Sequence, residues 1–226
     1  MTTTIAIDGP SGAGKSTVGH ATAQRIDATF IDTGLMYRAL TLAAVEAGVD
    51  LGDGPSLAAL AEASLITVAR PRPDQADRLE TVILDGRDVT VDVREPRVDR
   101  AVSSVSRHPE VRSAMLDVQR AAVTRGGTVM VGRDIGTVVL PDATLKVYLD
   151  AAAEVRAARR AAEMGVPDRV DEYLVEIRRR DAADSSRNVA PLRIPDGALA
   201  LDTGMLDVDA CVEAIVRELD AIRAHA

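Results

Sequence analysis

Cysteine is almost missing from this chain: Cys211 is the only one in 226 residues. A single thiol forbids an intrachain disulfide, and with only His20, His108 and His225 beside it there is no set of ligands for structural zinc. Cys211 falls in a C-terminal helical pattern, where a small buried thiol is expected. Tryptophan is absent, and the aromatics are Phe30, Tyr37, Tyr148 and Tyr173, too few for a platform that stacks single-stranded nucleic acid. A net charge of −8 and a pI near 5.0 leave no chain-wide basic footprint for nucleic acid. No run approaches the ~18–20 apolar residues that span a bilayer. The opening Met-Thr-Thr-Thr-Ile-Ala-Ile-Asp lacks the basic start and apolar run of a signal peptide. These absences predict a cytoplasmic protein with neither a nucleic-acid nor a membrane partner. With no heptad and no long apolar edge, a monomer is expected. Lysine is also scarce: of 27 lysines and arginines, only Lys15 and Lys146 are lysines. The positive charge is arginine, whose planar fork can grip phosphate oxygens two at a time.

What is present is an alternation of strand and helix signals. Residues 3–7 read as a buried strand, 8–14 as a glycine-rich turn and 15–26 as a helix with Val18, Ala21, Thr22 and Ile26 on one stripe. Phe30-Ile31 is a brief strand, and 34–47 a helix closed by Gly48. Thr128–Gly132 and Leu145–Leu149 are apolar runs of strand length, with helical patterns at 151–164, 169–181 and 207–223. Such alternation predicts an α/β fold, a parallel sheet with helices on both faces. Residues 65–100 differ. Leu65–Ala69, Thr81–Leu84 and Asp88–Val91 are short and β-prone, and Asp85-Gly86 joins the last two as a hairpin turn. Residues 70–74, Arg-Pro-Arg-Pro-Asp, are a loop, and helices are expected at 97–107 and 109–125. The expected organisation is one domain: a core of 1–64 and 128–226, and a small antiparallel α+β insertion at 65–127.

The strongest chemical signal is Gly9-Pro10-Ser11-Gly12-Ala13-Gly14-Lys15-Ser16, a P-loop of the form G-x-x-x-x-G-K-[ST], with Thr17 continuing it into the helix. Its glycines let successive N–H groups turn toward an anion, and the helix that follows adds its dipole. Lys15 would bridge the β- and γ-phosphates of ATP, and the Ser16 hydroxyl would ligate Mg²⁺. The chain has no Asn-Lys-x-Asp segment to read guanine, and it is short for a motor. A small kinase fits better. If its acceptor is a phosphate, the attacking oxygen is already anionic and no general base is needed, so placed cations carry the catalysis.

Other segments supply candidates whose roles stay open when each is taken alone. Thr33 opens a helix and Arg38 follows one turn later, although Asp32 or Thr33 could simply cap that helix. Ser103 and Arg112 lie on adjoining helical segments; Arg112 could hold a cytosine ring's acceptors or be a solvated charge. Asp134, after the strand 128–131, could ligate Mg²⁺, accept the exocyclic amine of cytosine or cap its loop. Arg178, Arg179 and Arg180 read as the end of a helix, with Asp184 and Arg187 beyond. Arg156, Arg159 and Arg160 form a patch on the helix 151–164.

Taken together, five segments resemble the bacterial cytidylate kinase family of the nucleoside monophosphate kinase group. They are the P-loop, Asp32-Thr-Gly-Leu-Met-Tyr-Arg38, His108-Pro-Glu-Val-Arg112, Gly132-Arg-Asp-Ile-Gly-Thr-Val-Val139 and Arg180-Asp-Ala-Ala-Asp-Ser-Ser-Arg187. The likeness runs over nearly the whole chain. It implies a three-layer P-loop kinase fold with a monophosphate-binding insertion and a short lid at about 157–180. It also implies ATP and Mg²⁺ as cofactors and CMP or dCMP as acceptor. It places Thr33, Ser103, Arg112 and Asp134 on cytosine, Arg38, Arg133, Arg180 and Arg187 on the acceptor phosphate, and Asp184 on the sugar. Lys15, Arg133 and Arg187 are the candidate catalytic cations. Threonine stands at position 33 where the family more usually carries serine. A uridylate or shikimate kinase, or a nucleotide-dependent switch, would share the cradle and differ in the acceptor pocket.

Overall fold

The computed structural model describes residues 2–75, 78–186 and 189–225. Its main sheet is built from β1 (Thr4–Asp8), β2 (Thr29–Asp32), β6 (Thr128–Gly132), β7 (Leu145–Asp150) and β8 (Leu199–Asp202) in the order β2-β6-β1-β7-β8. β1 runs parallel to both β6 and β7, and β7 parallel to β8. Central parallel strands are covered on both faces, which is why they read as continuous apolar runs. Ile5, Ala6 and Ile7 of β1 and Val129, Met130 and Val131 of β6 are fully buried accordingly. The α/β class with a parallel sheet and a separate antiparallel sheet is as the sequence implied.

The chain divides into two compact units: Met1–Ala28 with Gly126–Ala226, and Thr29–Arg125. In the first, α1 (Lys15–Arg25) packs against β6 and α8 (Val208–Ala224), while α6 (Ala153–Glu163) packs against α7 (Val170–Ser185). Val18, Thr22 and Ala23 form the buried stripe of α1, and Cys211 is buried on α8, as expected of a packing thiol. In the second unit, α2 (Thr33–Ala47) packs against α4 (Pro96–Val105), and α3 (Gly54–Ala63) against α5 (Pro109–Ala121). Its antiparallel sheet is β3 (Ile66–Ala69), β4 (Thr81–Leu84) and β5 (Arg87–Asp88). Asp85 and Gly86 both adopt positive φ, 50° and 82°, between the paired residues Leu84 and Arg87. That is a two-residue hairpin whose twist matches its strands. This unit starts upstream of residue 65 and so takes in β2, α2 and α3.

Five elements differ from expectation. The strand expected at Asp88–Val91 is reduced to β5, Arg87–Asp88, because the chain turns into a 3₁₀ helix at Asp92–Arg94. Helix α3 is not among the expected helices; it starts at Gly54, inside Gly52-Asp-Gly-Pro55, and Asp53 caps it by accepting the Ser56 N–H at 3.1 Å. Strand β8 spans only four residues, with turn glycines at 197 and 204 on either side, too short a stretch to show a period. Helix α5 ends at Ala121 rather than 125. Helix α7 continues to Ser185, so Arg178, Arg179 and Arg180 lie inside it and the helix-terminus account of them falls away.

Candidate active site

The phosphate cradle begins where β1 ends. A Cβ on Gly9 would stand 2.1 Å from the Leu149 carbonyl oxygen, so only glycine lets the chain leave the sheet there. Gly14 sits at φ 79° and precedes α1 with no side-chain cap on the helix. Leading N–H groups without a side-chain cap, reinforced by the helix dipole, favour an anion. The Lys15 ammonium is buried and donates to the Pro10 carbonyl at 2.7 Å, which folds the side chain back over the loop. Ser16 is half-buried and Thr17 exposed on the first turn.

Beside the cradle lies the end of β6. The register pairs Asp8 with Gly132, which brings Arg133 and Asp134 next to the start of the P-loop. The Asp8 carboxylate, fully buried, accepts the Ile135 N–H at 2.6 Å and the Gly136 N–H at 2.8 Å. Burial pushes its carboxyl up to about 6; those two N–H groups pull it down, Asp134 pushes it up and Lys15 pulls it down. Asp134 is buried directly before a single π turn, Ile135–Val139. The Arg133 Nε donates to the Asp184 carboxylate at 2.8 Å, so two expected acceptor contacts from distant segments meet here.

In the second unit, the Asp32 side chain accepts the Gly34 N–H at 2.9 Å and caps α2. Thr33 is the first helical residue and is buried. Tyr37, four residues on, shares its face. The Arg112 guanidinium stands over the Tyr37 ring, 5.6 Å from its centre, and donates to the Ser106 carbonyl at 3.4 Å. Arg112 is only 7% exposed, which removes the solvated-charge alternative. Arg38 donates to the Val93 carbonyl and to Asp99 of α4. Ser103 is exposed on α4.

The sequence profile of cytidylate kinase matches residues 5–221. This chain belongs to the cytidylate kinase family. Among its relatives, the cytidylate kinase of an Exiguobacterium species is 43% identical over 97% of both chains. That of Pelotomaculum thermopropionicum is 45% identical over 97% of this chain and 96% of its own. That of Caldanaerobacter subterraneus subsp. tengcongensis is 44% identical over 100% of this chain and 96% of its own.

For a cytidylate kinase family member, the arginine-rich helix α6 is of direct interest, and its three candidates separate cleanly. Arg156, 5% exposed, donates to the carbonyls of Ala151 and Ser11 and forms a two-pronged pair with Asp181 of α7. It therefore ties the P-loop to both helices. Arg159 donates to the Thr203 hydroxyl and carbonyl, and the same hydroxyl donates to Ala13 of the P-loop. Arg160 pairs with Glu163 on its own helix. Arg180 pairs with Glu176 one turn back on α7, and Arg187 lies outside the described residues. Sequence reasoning missed Asp8, Tyr37, Asp181 and Thr203. Of these only Tyr37 had a local signal, its four-residue spacing from Thr33.

Proposed function

We propose that this cytidylate kinase family member transfers the γ-phosphoryl group of ATP in line to the phosphate of CMP or dCMP, giving ADP and the cytidine diphosphate. The observation that carries the reading is the register between β1 and β6, which sets a P-loop beside Arg133 and a buried Asp134. Parallel α/β sheets bind ligands at the carboxyl ends of their strands, and both segments leave the sheet there. The glycine-rich backbone and Lys15 hold the β- and γ-phosphates. Arg38, Arg133, Arg180 and Arg187 neutralise the acceptor phosphate, and Asp184 takes the sugar hydroxyl while orienting Arg133. The acceptor oxygen is anionic near neutral pH, so catalysis is alignment and charge neutralisation.

Thr33, Ser103, Arg112 and Asp134 read the base. A buried carboxylate accepts the amine of cytosine and repels the carbonyl that uracil carries in its place, so Asp134 sets the preference between them. Tyr37 backs Arg112 with its ring face. The segment 65–127 is the acceptor-binding insertion, and about 157–180 is the lid.

Magnesium binds by few protein oxygens together with substrate phosphates, so it needs no cage of carboxylates. Among the described residues, no cluster of three or more histidine, cysteine or acidic side chains suits a metal. Ser16, a hard oxygen donor directly after Lys15, fits Mg²⁺ carried in with ATP. The ion would supply charge neutralisation at the phosphates. No described helix is long and apolar enough to cross a membrane. We take the enzyme to be a cytoplasmic monomer of pyrimidine nucleotide metabolism.

Asp134→Ala tests the base assignment. The ratio of kcat/KM for CMP over UMP should collapse by more than turnover on CMP falls. Equal losses on CMP and UMP would point to magnesium ligation instead.

A further inference from the structure

One buried carboxyl group has no part in the reaction as described. Glu80, immediately before β4, is 2% exposed, and its Oε1 accepts the Asp32 backbone N–H at 2.6 Å. Asp32 is the last residue of β2 and the cap of α2, so this bond grips the chain at the point where strand becomes helix. The Asp32 side chain is engaged one step further on, with Gly34. Two carboxyl groups thus define one junction: Asp32 caps the helix, and Glu80 holds the peptide from which it starts. The next residue is Thr33, and Tyr37 and Arg38 follow within the first turns of α2.

We propose that Glu80 is a positioning residue for the acceptor: by holding the Asp32 N–H it sets where α2 begins, and so where Thr33 and Arg38 meet the substrate. The proposal rests on the reading above that Thr33 and Arg38 contact CMP. A helix start displaced by a few tenths of an ångström would carry both side chains with it, which is costly where reacting groups need near-attack alignment. A hydrogen bond donated by the Asp32 N–H to the oxygen of a neutral acid or an amide is enough for this task. The protonation state matters because the Glu80 carboxyl feels both the Asp32 carboxylate and the Arg94 guanidinium. Burial and Asp32 push its carboxyl up to about 8, against the pull of the Asp32 N–H and Arg94. Ionisation above that pH sets like charges against each other at the junction.

The test is steady-state kinetics on the full chain for wild type, Glu80→Ala, Glu80→Gln and Thr33→Ala, varying CMP and ATP separately from pH 7 to 9.5. Glu80→Ala should raise the KM for CMP about tenfold, the size of one lost hydrogen bond, with the KM for ATP within about twofold. Glu80→Gln, which keeps an acceptor oxygen, should restore it. In wild type the KM for CMP should climb above pH 8, and in Glu80→Gln it should stay flat. The acceptor does not titrate there, since a phosphate monoester loses its second proton near pH 6. An unchanged KM for CMP in Glu80→Ala, with Thr33→Ala impaired, overturns the role of Glu80 and leaves the base reading standing. No effect from Thr33→Ala sinks the base reading, and the proposal with it. If Glu80→Ala does not fold, parallel pH profiles for wild type and Glu80→Gln overturn the proposal.

Discussion

The Asp8 carboxylate accepts the Ile135 N–H at 2.6 Å, across 127 residues of sequence. Asp8 is the last residue before the P-loop and Ile135 the first after Asp134, so the P-loop and the proposed base-reading residue share one anchor. The second oxygen takes the Gly136 N–H, and a Cβ on Gly136 would press to 3.2 Å from it. Asp8→Ala should therefore strand two buried N–H groups, at about 1–3 kcal/mol each. Urea unfolding should report a loss of about 2–6 kcal/mol, together with impaired turnover. A loss below 1 kcal/mol would show that the anchor carries little.

Lys15 is buried against the Pro10 carbonyl, poised over the loop that it serves. Lys15→Ala removes the one cation built into the cradle. Turnover should fall on the order of 10²–10³-fold, as when a charge-stabilising donor is deleted from an active site. A cooperative thermal transition close to that of wild type is expected alongside. Unchanged turnover would remove the P-loop from the catalytic account.

Arg156 holds three partners at once, Ser11 of the P-loop, Ala151 and, with two bonds, Asp181. Lysine cannot reproduce a planar fork. Arg156→Lys should thus behave much like Arg156→Ala, raising the KM for ATP about tenfold with little effect on that for CMP. Full function in the lysine variant would show that charge alone suffices.

Glu80 gives a pH prediction whose sign is fixed by its environment. Its carboxyl rises from the ordinary 4.5 to about 8 on folding, so the native state favours the protonated acid. The stability this confers is complete below pH 4.5 and is lost as the pH rises to about 8. Wild type should lose ground against Glu80→Gln across that window, and the gap should level off above it. Urea midpoints of the two proteins at pH 5, 6, 7, 8 and 9 measure this directly. A gap independent of pH would contradict it.

Much of this was legible in the sequence because it depends on local rules. The P-loop is a backbone requirement written in glycines, and Gly9 shows why, with no room for a Cβ beside Leu149. The Asp85-Gly86 hairpin is likewise a matter of two residues adopting positive φ. Arg133 and Asp184 were both candidates, but that they touch is a property of the fold. Glu80 reaches Asp32 across 48 residues, and Arg156 reaches Asp181 across 25. Neither pairing has a spacing that a sequence could reveal. The missed β8 is four residues long, and it holds its place by pairing with β7 rather than by its own pattern. Helix α7 outran its expected end because Asp181 and Asp184, which look like helix-ending residues, are held by Arg156 and Arg133.

The most direct test of the central claim is ADP release from ATP and Mg²⁺ with CMP, dCMP, UMP, AMP, GMP and shikimate offered separately. The account predicts that CMP and dCMP stimulate turnover far above every other acceptor. Equal stimulation by UMP, or no stimulation by any acceptor, would contradict it.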